Sequence, residues 1–199
     1  MNALTVKISP RNNKLGKIPN ISTVPVKDCG DCSHCRADCY ALKAWRQYPA
    51  VRKAWGGNSK AFRNNPAAAF SQVQDHFAKA YARGKAPRFF RIHVAGDFLD
   101  QAYLDHWADI ASIFNETKFL AFTKMSLDYS AVPSNLTIIH SQWPGRPVTS
   151  DIPGTRAWVQ DGTETRIPAD AIECPGLCDD CGMCWDLPDI GKDIFFHSH

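Results

Sequence analysis

The chain has 199 residues, 44% of them apolar and 22% charged, with 12 Gly, 13 Pro and a mean hydropathy of -0.31. This profile excludes a disordered, collagen-like or membrane-spanning chain. One compact domain over residues 1–199 is expected, and an eight-fold α/β barrel, which takes roughly 250 residues, must here be reduced or open. The net charge of +3 hides an asymmetry. Residues 1–91 carry 17 Lys and Arg against Asp28, Asp31, Asp38 and Asp75, and residues 92–199 carry 6 against 16 acids, which is +13 followed by −10. Either the first half offers a surface to a polyanion, or the acidic half folds onto the basic one and neutralises it. The N-terminal stretch has no continuous apolar run and no segment approaches the ~18 apolar residues of a spanning helix, so a cytoplasmic location is expected.

In chain order, the first feature is a cysteine group, Cys29, Cys32, Cys35 and Cys39, with spacing C-x2-C-x2-C-x3-C. Residues 40–55 follow as a helix or helix pair broken near Pro49 and ending at Gly56-Gly57. Asn65-Pro66 starts a second helix, whose Phe70, Val73, Phe77, Ala80 and Tyr81 recur at helical spacing until Gly84. The period then changes to a strand over 88–94, closed by Ala95-Gly96-Asp97. Asp100 caps a helix with Tyr103, Trp107, Ile110, Ala111 and Phe114 on one face. Strands are expected at 118–123 and 136–141, joined by a short helical link, and 146–172 reads as loop or hairpin. A second cysteine group, Cys174, Cys178, Cys181 and Cys184, has the reversed spacing C-x3-C-x2-C-x2-C. The terminal Phe195-Phe196-His197-Ser198-His199 reads as a tail.

Strands alternating with helices imply a parallel sheet, so the fold class is α/β, a reduced or partial barrel with cysteine-rich loops at 29–39 and 174–184. Ligands of such sheets bind at the carboxyl ends of the strands. Those ends carry His93, Gly96 and Asp97, then Thr123 and Lys124, then His140, Ser141, Gln142 and Trp143. A carboxylate beside a histidine suits proton transfer, which makes His93, Asp97 and Lys124 candidate catalytic groups. No P-loop, G-x-G-x-x-G, G-x-S-x-G or H-E-x-x-H is present, which argues against nucleotide hydrolysis, dinucleotide binding and zinc proteolysis.

The eight cysteines carry the sharpest signal. Short gaps in a chain with no secretory features argue against a disulfide framework and for metal. Zinc takes four thiolates around one ion, usually from two C-x2-4-C pairs. A [4Fe–4S] cubane is wider, and the first group has the spacing of the bacterial ferredoxin run, with Tyr40 where those proteins have proline. Four thiolates per group cap every iron. Three leave one iron open, and the two groups could also share one cluster.

Cys35-x3-Cys39-Tyr40-Ala41, Arg91-Ile92-His93-Val94-Ala95-Gly96-Asp97-Phe98, Phe122-Thr123-Lys124 and Cys181-x2-Cys184-Trp185-Asp186 together resemble the phage and actinobacterial gene product 88 family. That family is in turn similar to radical S-adenosylmethionine proteins. The resemblance implies a barrel-like fold, a cubane with an open iron, and S-adenosylmethionine near Gly96 and Asp97, with Thr123 and Ser141 as further cofactor-rim positions. The C-x3-C-x2-C spacing usual near the N-terminus of those enzymes occurs here only at Cys174, Cys178 and Cys181. The competing expectation is a module stapled by zinc or clusters that holds nucleic acid through Arg46, Arg52, Lys53, Lys60 and Arg63, interleaved with Trp45, Tyr48, Trp55 and Phe62.

Overall fold

The structure is a computed structural model that describes residues 5–30 and 32–198. Its centre is a seven-stranded sheet in the order β1-β2-β3-β4-β5-β7-β6, with every pairing parallel. The strands are β1 (Asn20–Ile21), β2 (Phe89–Ile92), β3 (Lys118–Thr123), β4 (Leu136–Gln142), β5 (Arg156–Gln160), β6 (Ile172–Glu173) and β7 (Ile194–His197). Sequential order from β1 to β5 is what a β/α barrel has. Two-residue strands at both edges leave this one partial.

Three helices separate β1 from β2: α1 (Tyr40–Gln47), α2 (Pro49–Asn64) and α3 (Pro66–Ala82). Proline stands at the first turn of α2 and α3, where a missing N–H costs nothing, and the Asn65 side chain caps α3 by accepting from the Ala68 N–H at 3.1 Å. Helix α4 (Gln101–Ile113) joins β2 to β3, and its N-cap Asp100 accepts from the Tyr103 N–H at 2.8 Å. Helix α2 runs through Gly56-Gly57 instead of ending there. A Cβ at Gly56 would lie 3.5 Å from the Trp45 ring, and Asn58, directly after Gly57, bonds the backbone of Lys7 and Ser22, so tertiary docking outweighs the propensity cost of the glycines.

Side chains alternate across the sheet. Phe90, Ile92, Phe119 and Ala121 face the helices, where Phe62, Phe70, Val73, Phe77, Tyr103 and Trp107 complete the larger core. The opposite face bears Leu120, Ile139, Ala157 and Ile194, covered by Leu15 and Ile18 from the N-terminal segment and by Trp185 and Leu187. Those two lie in a short C-terminal unit, which comprises α5 (Cys178–Cys181), a 3-10 turn (Met183–Trp185) and α6 (Leu187–Ile190). Trp185 stacks at 4.7 Å on Phe89 and donates to the Phe90 carbonyl.

Four expectations are corrected. The stretch read as loop contains β5, and the stretch read as tail contains β7, inserted between β5 and β6. His199 lies outside the described residues. The link between β3 and β4 is irregular backbone and turns, not helix. Strand β2 stops at Ile92 because His93 takes φ +57, in the left-handed region.

Candidate functional site

The loop carrying the first cysteine group crosses the carboxyl ends of β2, β3 and β4. The Asp28 carbonyl accepts from the Asp97 N–H at 2.8 Å, Gly30 packs on the Met125 sulfur so closely that a Cβ would sit 2.0 Å from it, and His34 lies against Gly145. Asp28 is fully buried. Its carboxylate accepts from Val24 N–H at 2.8 Å and from Arg63 of α2 at 2.7 and 2.8 Å, which fixes the loop just before Cys29. Within the loop, Arg36 N–H returns to the Cys32 carbonyl, and Cys39 N-caps α1 with its backbone.

Beneath that loop, Asp97 accepts from the Thr123 hydroxyl at 2.6 Å and from the Lys124 and Phe98 N–H groups at 2.8 Å. Burial raises its pKa, opposed by Lys124 and by these hydrogen bonds. Burial also works against the Lys124 charge, but Asp97 and the thiols of Cys35, Cys29 and Cys32 outweigh it and the ammonium pKa is raised. Lys124 therefore stands between a carboxylate and three thiols of the first group. Burial first, then neighbouring Cys29 and Cys35, pushes the Cys32 thiol up to about 12, and burial raises Cys29. Such thiols keep their protons until a cation displaces them.

The second group lies on the sheet face away from the helices. Cys174, Cys178, Cys181 and Cys184 all line one small apolar pocket, closed by Trp185, Met183 and Ile194. Beside it stands Arg91 of β2, whose position opposite Phe90 and Ile92 points it to this face. Its Nε donates to the carbonyls of Ile92 and His93 at 3.3 and 3.2 Å, and its guanidinium sits 4.0 Å over the Phe122 ring. No carboxylate among the described residues pairs with it. The groups within its electrostatic reach are Tyr40, Cys184 and Cys178. Burial pushes the Cys184 thiol up to about 12, opposed by Arg91, and raises Cys178, opposed by Arg91 and Lys14. Tyr40 ties the two regions together: it follows Cys39, neighbours Arg91 and Lys124, and its hydroxyl donates to the Val94 carbonyl.

The other rim residues are placed as follows. His93 turns away from the rim into the helical layer, where its Nε2 meets the Tyr103 hydroxyl at 3.0 Å and its ring stacks on Tyr103. Burial, then Arg91, lowers its pKa to about 3, so it is neutral. Gly96, at φ +90, lies against Thr23: a Cβ would come within 1.9 Å of the Thr23 hydroxyl, which accounts for the glycine without a ligand. Ser141 pairs with Ala157 across β4 and β5, and its carbonyl accepts from Arg146, which also bonds the Lys124 carbonyl. All eight cysteines are free. Among the described residues no group of three or more His, Cys, Asp or Glu side chains is arranged to hold a metal ion. Arg91 and Asp28 were not singled out by sequence reasoning; the available signal for Arg91 was a cation at an inward position of a buried strand.

A family model described as Gene product 88 matches residues 3–187, a span that contains both cysteine groups. The chain is similar to the Gene 88 protein of Mycobacterium phage D29, 27% identical over 186 residues that cover 78% of this chain and 77% of the relative. It is also similar to the Gene 88 protein of Mycobacterium phage L5, 27% identical over 130 residues that cover 55% and 54%. No solved structure matches the chain. No helix among the described residues is long and apolar enough to cross a membrane.

Proposed function

We propose that this chain, which belongs to the gene product 88 family, is an iron–sulfur protein of [4Fe–4S] type with a redox or radical role, on an α/β scaffold that carries one thiol group at the strand-end rim and the other on the sheet face away from the helices. The observation that carries the reading is the pocket lined by all four cysteines of the second group, with Arg91 beside it paired with no carboxylate among the described residues. A cation partly withdrawn from water is costly unless an anion answers it, and thiolates that bind metal supply that charge. A cubane carries its thiolates on different irons, so it needs a pocket ringed by thiols, whereas zinc needs four thiolates meeting at one ion.

In this reading Cys174, Cys178, Cys181 and Cys184 hold one cluster, and Cys29, Cys32 and Cys35 hold another beside Lys124 and Asp97, with Cys39 as the available fourth ligand. When bound, such clusters supply one-electron chemistry. Arg91 and Lys124 balance the negative charge of the thiolates, and Asp97 fixes the Lys124 backbone at the rim. A reducing cytoplasm, here that of a phage host, keeps the thiols available. S-adenosylmethionine remains a candidate partner of the N-terminal site, at the rim formed by Asp97, Thr123 and Lys124.

Protein purified without oxygen tests the proposal through iron, zinc and acid-labile sulfide per chain. About four irons and four sulfides are expected per filled group. Replacing Cys174, Cys178 and Cys184 together by serine removes one set, and replacing Cys29, Cys32 and Cys35 removes the other. Zinc with no sulfide overturns the proposal. If iron is found, titration with S-adenosylmethionine separates a radical enzyme, which cleaves it on reduction, from an electron carrier, which does not.

A further inference from the structure

The sequence left two outcomes for the +13 and −10 halves, and the ion pairs decide between them. Arg63 pairs with Asp28, Lys118 with Asp186, Arg156 with Asp193 and Arg166 with Glu164, each within its own half. Among the described residues no ion pair joins a Lys or Arg of the first 91 residues to an acid of the second half. The cations of the basic half are therefore not paired off one by one with acids of the other half.

One feature carries cations with no acid near them in the sequence. From Cys39 to Gln74 the chain has no Asp or Glu, and α1 and α2 carry six cations. Two are structural: Arg63 holds Asp28, and Arg52 donates to the carbonyls of Trp45 and Arg46. The other four, Lys43, Arg46, Lys53 and Lys60, are exposed and make no ion pair with any described residue. Aromatic rings flank them. Tyr40 and Tyr48 bracket α1 at 51% and 50% exposure, and the half-buried Trp45 and Trp55 stack on each other with ring centroids 6.5 Å apart.

We infer that the α1–α2 helix pair is a binding surface for single-stranded nucleic acid. Unpaired cations bind the phosphates by releasing counterions, and sequence-tolerant affinity for single strands comes from aromatic faces on which unpaired bases stack. Because α1 begins directly after Cys39, a strand held there passes beside the N-terminal thiol loop. The inference stands independently of the metal reading, since it rests on the helices alone.

Fluorescence anisotropy of a labelled mixed-sequence 20-mer, single-stranded and as its duplex, tests it across a salt series with the full chain. Tighter binding of the single strand is expected, with affinity falling as salt rises. Replacing Lys43, Arg46, Lys53 and Lys60 together by glutamate is expected to weaken binding at least tenfold and to flatten the log–log salt slope by about 3. The same charge change at Lys79, Arg83, Lys85 and Arg88 is expected to do much less, and circular dichroism of both variants verifies folding. Tyr48→Ala is expected to cost about tenfold at unchanged salt slope. Absence of binding at low salt, preference for the duplex, or equal losses in the two quadruple variants would overturn the inference.

Discussion

Gly96→Ala separates a structural glycine from a ligand-contacting one. At φ +90 an L side chain is strained by about 1–2 kcal/mol. The new Cβ would also lie 1.9 Å from the Thr23 hydroxyl and 3.2 Å from its Cβ, against an ordinary contact of about 3.5 Å. Thr23 is fully buried and its N–H is bonded to the Ala95 carbonyl at 2.9 Å, so relief requires moving a packed segment, at about 1–3 kcal/mol. The sum, about 2–5 kcal/mol, corresponds to a melting temperature lowered by roughly 4–20 °C for a chain of this size. Thr23→Ala deletes the clashing hydroxyl, which has no hydrogen-bond partner among the described residues, and should recover the clash portion in the double variant while leaving the backbone strain. Thermal and urea unfolding of the wild type, both single variants and the double variant read this out. A stable Gly96→Ala, within 0.5 kcal/mol or so of wild type, or a double variant no better than Gly96→Ala, would refute the packing account and return Gly96 to the ligand rim.

Further outcomes follow from the same geometry. His93 has a pKa near 3 when folded and near 6.5 when unfolded, so the unfolded chain binds more protons between those values; stability is full above about 6.5 and is lost as pH falls, by about 1.4 kcal/mol per unit. His93→Asn, which tolerates the positive φ, should flatten that slope in urea titrations at pH 4.5 and 7, and an unchanged slope would show that other groups carry it. Asp28→Asn should cost about 2 kcal/mol, discounted for the partial exposure of Arg63, and should reduce iron loading of the first group more than of the second, as seen by metal analysis. In reconstituted protein Arg91→Gln should lower the reduction potential of the C-terminal site at unchanged iron content, because the cation favours the more negative reduced state, and Arg91→Lys should restore part of it; equal potentials in the wild type and Arg91→Gln would remove Arg91 from the site.

Legibility in the sequence tracked how locally each feature is determined. The caps Asn65 and Asp100 and the strand 118–123 were readable because short-range chemistry sets them. Strands β5 and β7 were not, since five and four residues without clear alternation become strands only by pairing with neighbours distant in the chain. Gly56-Gly57 misled for the converse reason: a helix stop signal was overridden by Trp45 and Asn58 contacts formed elsewhere in the chain. At the candidate site, Asp97, Thr123 and Lys124 do lie together at the strand ends, as their positions in the sequence implied. Its occupants were sorted by the direction of each side chain, which placed His93 behind the sheet and Arg91 in front of it.

The crossing of the chain's early and late segments has a consequence for biosynthesis. Lys14 bonds the Cys178 N–H, Lys17 bonds Asp179, Leu15 and Ile18 pack with Trp185 and Leu187, and Ile194 closes the thiol pocket. Strands β2 to β4 with α3 and α4 can bury their core while translation continues, as domains commonly do. The C-terminal thiol pocket is complete only after Ile194 has left the ribosome and β7 has threaded between two strands made before it. Any ligand of that pocket therefore finds it only after residues through Ile194 have been made, whereas the first cysteine loop is on offer from early in synthesis.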